Sequence, residues 1–83
     1  MKQVLFYTRN QCGLCQDAKI TLKLLQDELG FEIKEIDIDE SDDLTERFGL
    51  MIPVVESDGE TLQYGQIDYF TLSKRLHEKT DSF

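Results

Sequence analysis

The 83-residue chain is predicted to fold as a single α/β domain over residues 1–83, in the order β-α-β-α-β-β-α with a four-stranded mixed sheet and three helices. Three observations predict this. Apolar runs short enough for strands alternate with segments of helical period; Gly30, Gly49 and Gly65 fall where elements should end; and Asp58-Gly59 stands between two strand-like runs, the signature of a tight hairpin. A strand, a helix and a further strand form a right-handed parallel unit, and the hairpin adds antiparallel pairing, so the sheet is mixed. One small domain of this length supports a single core and little more.

The elements run in order along the chain. Val4 to Thr8 reads as a buried strand. From Gly13, the residues Cys15, Ala18, Leu22, Leu25 and Leu29 recur at three- and four-residue spacing, a helical face that Gly30 stops. Ile20 and Leu24 fall off that stripe and need either a neighbouring helix or exposure. Phe31 to Asp39 alternates as a strand, with Phe31, Ile33, Ile36 and Ile38 apolar; the step from Ile33 to Ile36 breaks the period of two and marks either a bulge or the true strand start. Ser41, Asp42 and Asp43 are capping residues for a short helix through Phe48, ended by Gly49. Ile52 to Glu56 and Thr61 to Tyr64 make the hairpin strands. Gly65 leads to a last helix with Asp68 as its cap and Tyr69, Leu72 and Leu76 as its buried face.

The only two cysteines form Cys12-Gly13-Leu14-Cys15, at the junction of the first strand and first helix. A helix N-terminus carries about half a positive charge and unpaired N–H groups, which favour a thiolate there. Cys-x-x-Cys sites lower a cysteine pKa from about 8.5 to between about 3.5 and 7.5. Residues three apart share a helix face, so the two sulfurs can bond without unwinding it. Cys12 at the cap is placed to attack; Cys15, on the core-facing stripe, is placed to resolve.

Four-ligand zinc is excluded by ligand count, since His77 is the only other soft ligand, and it lies near the C-terminus, where a surface position suits it better than a proton-carrying one. No metal and no organic cofactor is expected. A net charge of −8 argues against nucleic acid as a partner. Residues 32–46 hold eight carboxylates against one base, Lys34, and read first as a solvated face. The N-terminus, Met1-Lys2-Gln3 with the short apolar run Val4 to Thr8 behind it, is too short for a signal-peptide core, and no window approaches a membrane span, so a cytoplasmic, membrane-free protein is expected. In a reducing compartment two cysteines point to catalysis or metal before a structural bridge.

Tyr7-Thr8-Arg9-Asn10-Gln11-Cys12-Gly13-Leu14-Cys15 resembles the glutaredoxin active-site segment, in which a basic residue precedes the first cysteine by three or four positions. Met51-Ile52-Pro53 resembles the position where that family carries a cis-proline beside the cysteine pair, and Tyr64-Gly65-Gln66-Ile67-Asp68 partly matches the segment that glutathione-using members carry before the last helix. The resemblance spans nearly the whole chain and is stronger to a subgroup of small glutaredoxin-like proteins.

It implies a thioredoxin-like fold and a monomeric thiol–disulfide oxidoreductase acting on protein disulfides or glutathione mixed disulfides with an external thiol reductant. It also implies that Arg9, Ile52, Pro53, Gly65 and Asp68 contact substrate; Leu14 is expected to join them from its own position, between the cysteines at a helix start where full burial is difficult. Ile52 would offer its backbone to an extended peptide or glutathione; Arg9 would aid the Cys12 thiolate and hold a glutathione carboxylate. Gln66 and Ile67 stand where the family has a small and a polar residue, so weak glutathione binding is expected. Two alternatives stay open: a glutathione-dependent glutaredoxin, and a dimeric iron–sulfur or metal-binding module held through Cys12.

Overall fold

The computed structural model describes residues 3–80; Met1 and Lys2, part of the N-terminus weighed as a signal peptide, lie outside the described residues. The strands are β1 (Gln3–Thr8), β2 (Glu32–Asp37), β3 (Val54–Ser57) and β4 (Glu60–Tyr64), and the helices α1 (Gly13–Leu29), α2 (Asp42–Phe48) and α3 (Tyr69–Thr80). They form one sheet in the order β2-β1-β3-β4. β1 runs parallel to β2 and antiparallel to β3, and β3 pairs antiparallel with β4.

Both faces of this sheet are covered, which explains why β1 is apolar at four consecutive positions. Val4 and Phe6 pack with Cys15, Ala18, Leu22 and Leu25 of α1 and Leu72 and Leu76 of α3. Leu5 and Tyr7 face the other way, toward Ile38 and toward Leu44 and Phe48 of α2. The Tyr7 and Phe48 rings stack with centroids 4.3 Å apart, and the Arg47 guanidinium lies 4.7 Å from the centre of the Phe48 ring. Burial, reinforced by the nearby Glu56 carboxylate and partly offset by Arg47, raises the Tyr7 pKa above its ordinary value.

Three expectations require correction. The run from Phe31 to Asp39 is not one strand: β2 ends at Asp37, whose carboxylate accepts the Asp39 N–H at 2.9 Å and caps a 3₁₀ turn over Ile38–Glu40. No bulge interrupts β2, because its register against β1 is continuous from Gln3↔Glu32 to Thr8↔Asp37. Ile33 packs against the α1 face and Ile36 against the α2 face, so the broken alternation reflects a strand with apolar neighbours on both sides. The irregularity lies instead between Val55 and Glu56 in the β3–β4 ladder. Finally, β3 begins at Val54 and not at Ile52: Pro53 has no N–H to give a ladder, and the Ile52–Pro53 peptide is cis.

The remaining boundaries arise from capping and turn chemistry. Gly30 sits at φ +76° and donates its N–H to the Gln26 carbonyl at 2.8 Å, closing α1. Ser41 Oγ accepts the Leu44 N–H at 3.3 Å and starts α2. Asp58 and Gly59, at φ 55° and 78°, make the two-residue turn of the β3–β4 hairpin. Among the described residues no helix covers Ile20 and Leu24, which are 63% and 53% exposed on α1.

Candidate active site

The turn from β1 into α1 builds the site. Gln11 takes a left-handed conformation, φ 60°, and delivers the chain into Cys12, which has extended backbone angles (φ −110°, ψ 109°) and is the N-cap of α1. Its sulfur does what a serine or aspartate oxygen does at other helix starts: Cys12 Sγ accepts the Cys15 N–H at 3.2 Å, while the Cys12 carbonyl accepts the Gln16 N–H at 3.1 Å. The first turn of α1 carries no carboxylate, so nothing there offsets the positive end of the helix dipole.

Cys12 and Cys15 are joined as a disulfide with their Cα atoms 5.2 Å apart, inside the ordinary range for such a bridge. The two sulfurs differ in surroundings. Cys15 is 3% exposed among core residues, whereas Cys12 is half-buried at the surface; Leu14, between them, is 52% exposed. A solvent-facing sulfur at a helix N-terminus with a second sulfur bonded beneath it fits thiol–disulfide redox chemistry.

A cavity of about 150 Å³ adjoins the pair, lined by residues that include Arg9, Asn10, Cys12, Cys15, Lys19 and Glu35. Arg9 therefore borders the disulfide, and its Nε donates to Asp39 Oδ1 at 2.9 Å, with both side chains partly exposed. The parallel register brings this about, since Thr8 pairs with Asp37 and the two chains leave the sheet side by side. The edge that carries Cys12 accordingly also carries Asp37, Asp39 and Glu40.

The cis-proline loop joins both layers of the core. Ile52 packs against each cluster and Pro53 is buried. The Phe48 carbonyl accepts the Met51 N–H at 2.8 Å and the Ile52 N–H at 3.0 Å. The Ile52 N–H is thus engaged at the end of α2.

Gly65 and Asp68 have defined intramolecular roles. Gly65, at φ +79°, donates its N–H to the carbonyls of Met51 and Pro53, each at 2.9 Å, tying the start of the α3 segment to both sides of the cis peptide. Asp68 caps α3: Oδ1 accepts the Thr71 N–H at 2.8 Å and Oδ2 accepts the Gln63 amide at 2.8 Å. The bond from Thr71, then that from Gln63, holds the Asp68 pKa below the usual carboxylate range.

Sequence reasoning missed Lys19 and Glu35, whose side chains meet at 3.1 Å on the cavity wall. The available signal was that Lys19 lies one helical turn beyond Cys15. It also missed Gln63 as partner of Asp68. His77 lies exposed on α3 with its Nδ1 2.7 Å from the Ser73 carbonyl. Among the described residues, no three His, Cys, Asp or Glu side chains converge on a common metal position, and no helix is long and apolar enough to cross a membrane.

Comparison with known proteins agrees with this geometry. The family model described as Glutaredoxin-like domain (DUF836) matches residues 3–77. Protein Ne2328 from Nitrosomonas europaea is similar in structure at 26% identity and a TM-score of 0.75, covering 94% of this chain and 89% of that one. Protein XcR50 from X. campestris matches at 25% identity and a TM-score of 0.72, over 96% and 97% of the two chains. Thioredoxin 1 from Thermosipho africanus superposes with a TM-score of 0.70 over 96% of each chain at 9% identity, a likeness of fold. No curated protein matches the chain. The fold is thioredoxin-like.

Proposed function

Because the chain belongs to the glutaredoxin-like domain family, and because Cys12 caps α1 at the surface while Cys15 lies bonded beneath it, we propose that it is a dithiol–disulfide oxidoreductase. The carrying observation is the asymmetry of the two sulfurs. The Cys12 thiolate attacks one sulfur of a substrate disulfide and forms a mixed disulfide; the other substrate sulfur leaves as a thiolate. Cys15 then attacks Cys12 Sγ, closing the Cys12–Cys15 bridge and releasing the second substrate thiolate. An external thiol reductant, either glutathione or a thioredoxin-reductase-type system, returns the pair to dithiol.

Three features support Cys12 as the attacking thiol: partial exposure, the helix N-terminus, and the N–H of Cys15 directed at its sulfur, which would stabilise a thiolate by a charge-assisted bond. Substrate docks against Arg9, Leu14 and the Ile52–Pro53 loop in this reading. Glutathione is a poor reductant in it, because Asp68 already accepts bonds from Thr71 and Gln63, and Arg9 is drawn toward Asp39.

The test is partner trapping. A Cys15→Ser variant should accumulate mixed disulfides on Cys12 that a reducing gel releases and mass spectrometry identifies, whereas Cys12→Ser should trap none and lose reductase activity. Trapping on Cys15 in the Cys12→Ser variant would reverse the assignment. Visible absorbance of anaerobically purified protein would favour the cluster-binding alternative instead.

A further inference from the structure

Cys15 must ionise to complete the reaction, yet it is 3% exposed and packs among apolar side chains that include Phe6, Val55, Leu62 and Leu72. Burial of this kind opposes a thiolate. The cavity beside it offers the compensating charge. Its charged lining groups are Arg9 from the β1–α1 turn, Lys19 from α1 and Glu35 from β2. Arg9 is drawn toward the acidic edge by Asp39. Lys19 and Glu35 remain, bonded to each other at 3.1 Å, each about half exposed. Lys19 lies one turn after Cys15 on the same helix, and Glu35 reaches the same face because it stands opposite Phe6 in the β1–β2 register.

We propose that the Lys19–Glu35 pair sets the ionisation of Cys15, Lys19 favouring its thiolate and Glu35 opposing it, and thereby tunes how fast the mixed disulfide is resolved. The proposal rests on Cys15 being the resolving thiol. Both residues are positioning residues that act through Cys15.

In the step concerned, the Cys15 thiol gives its proton to solvent. Its thiolate attacks Cys12 Sγ, the Cys12–Cys15 bond forms and the bond from Cys12 to the substrate sulfur breaks. The substrate leaves as a thiolate with the electron pair and takes up a proton from solvent. Two electrons have then passed from the cysteine pair to the substrate disulfide.

The two members of the pair should have effects of opposite sign. At half exposure, removing either charge moves the Cys15 pKa by about half a unit. Below that pKa the thiolate fraction then changes about threefold, and the accompanying change in intrinsic nucleophilicity leaves about a twofold change in rate.

The test uses Lys19→Met, Glu35→Gln and the double variant. In a Cys12→Ser background, ultraviolet thiolate absorbance against pH reads the Cys15 pKa without requiring reagent access. Lys19→Met should raise it, Glu35→Gln should lower it, and the double variant should return to within about 0.2 units of the parent. With both cysteines present, protein carrying 2-nitro-5-thiobenzoate on Cys12 should expel that thiol at neutral pH about twofold more slowly in Lys19→Met and about twofold faster in Glu35→Gln. A pair that only braces α1 against β2 would move both variants the same way; shifts of one sign, or none above about 0.2 units, overturn the proposal. Failure of the parent protein to expel the aromatic thiol would instead overturn the resolving role of Cys15 itself.

Discussion

Replacing Phe48 by alanine should bring this protein close to its folding limit. The ring is 5% exposed, stacks on Tyr7 at 4.3 Å and is covered by Arg47, so it is a principal contact between α2 and its face of the sheet. Buried Phe→Ala changes cost about 3–5 kcal/mol, of which aromatic stacking accounts for about 0.5–1.5 kcal/mol. A domain of this size has about 4–12 kcal/mol in total. With an unfolding entropy near 2.1 cal/mol/K per residue, the loss lowers the melting temperature by about 15–30 °C. Phe48→Leu keeps much of the apolar volume and loses the stack, and should cost only about 1–2 kcal/mol. Thermal unfolding monitored by circular dichroism measures both. If Phe48→Ala melts within about 5 °C of the parent, or Phe48→Leu falls as far as the alanine variant, the ring is not the anchor its geometry indicates.

Asp68→Asn should lower the melting temperature at neutral pH and matter progressively less in acid. The carboxylate pKa is depressed in the folded state, so its stabilisation is complete above the unfolded carboxylate value and lost as pH falls through the folded one; melting curves from pH 7 to about pH 2 should show the gap closing. Gly65→Ala should destabilise by at least about 1 kcal/mol, because φ +79° is unfavourable for a side chain, and denaturant titration will show it. Converting Asp39, Glu40, Asp42 and Asp43 to amides should lower the Cys12 pKa and flatten the salt dependence of reaction with a basic disulfide, an effect of about 10-fold in rate at low salt; unchanged values would mean that the acidic run is only a solvated face.

Most of the fold was legible because its signals are local. The stripe Cys15, Ala18, Leu22 and Leu25 with Gly30 after it specifies α1 without reference to the rest of the chain, and Asp58-Gly59 specifies the hairpin turn. The Cys12–Cys15 pair was legible for the same reason: three residues of spacing and one strand–helix junction set its geometry. Alternation misled at β2, since a period of two presupposes one wet face, and Ile33 and Ile36 have apolar neighbours on opposite sides. Contacts that depend on register were out of reach. Arg9 and Asp39 are thirty positions apart, and nothing local shows that one carboxylate in the acidic run will take the guanidinium beside Cys12. The bond from the Ile52 N–H to the Phe48 carbonyl was equally out of reach, because that carbonyl belongs to a helix end whose direction only the folded chain sets.

The sheet order gives the acidic segment a second consequence. β2 is an outermost strand, so its far side presents unpaired backbone groups to any extended chain that meets it, including another copy of this one. Glu32, Lys34 and Glu35 stand exposed along that strand. Charged side chains on a sheet margin make intermolecular strand pairing unfavourable, because stacking copies would bring like charges together and strip them of water. The acidic segment thus divides its work: Asp37, Asp39 and Glu40 shape the field at the cysteine-bearing edge, while Glu32, Lys34 and Glu35 guard the margin against polymerisation, and a variant neutralised along β2 should lose solubility together with its charge.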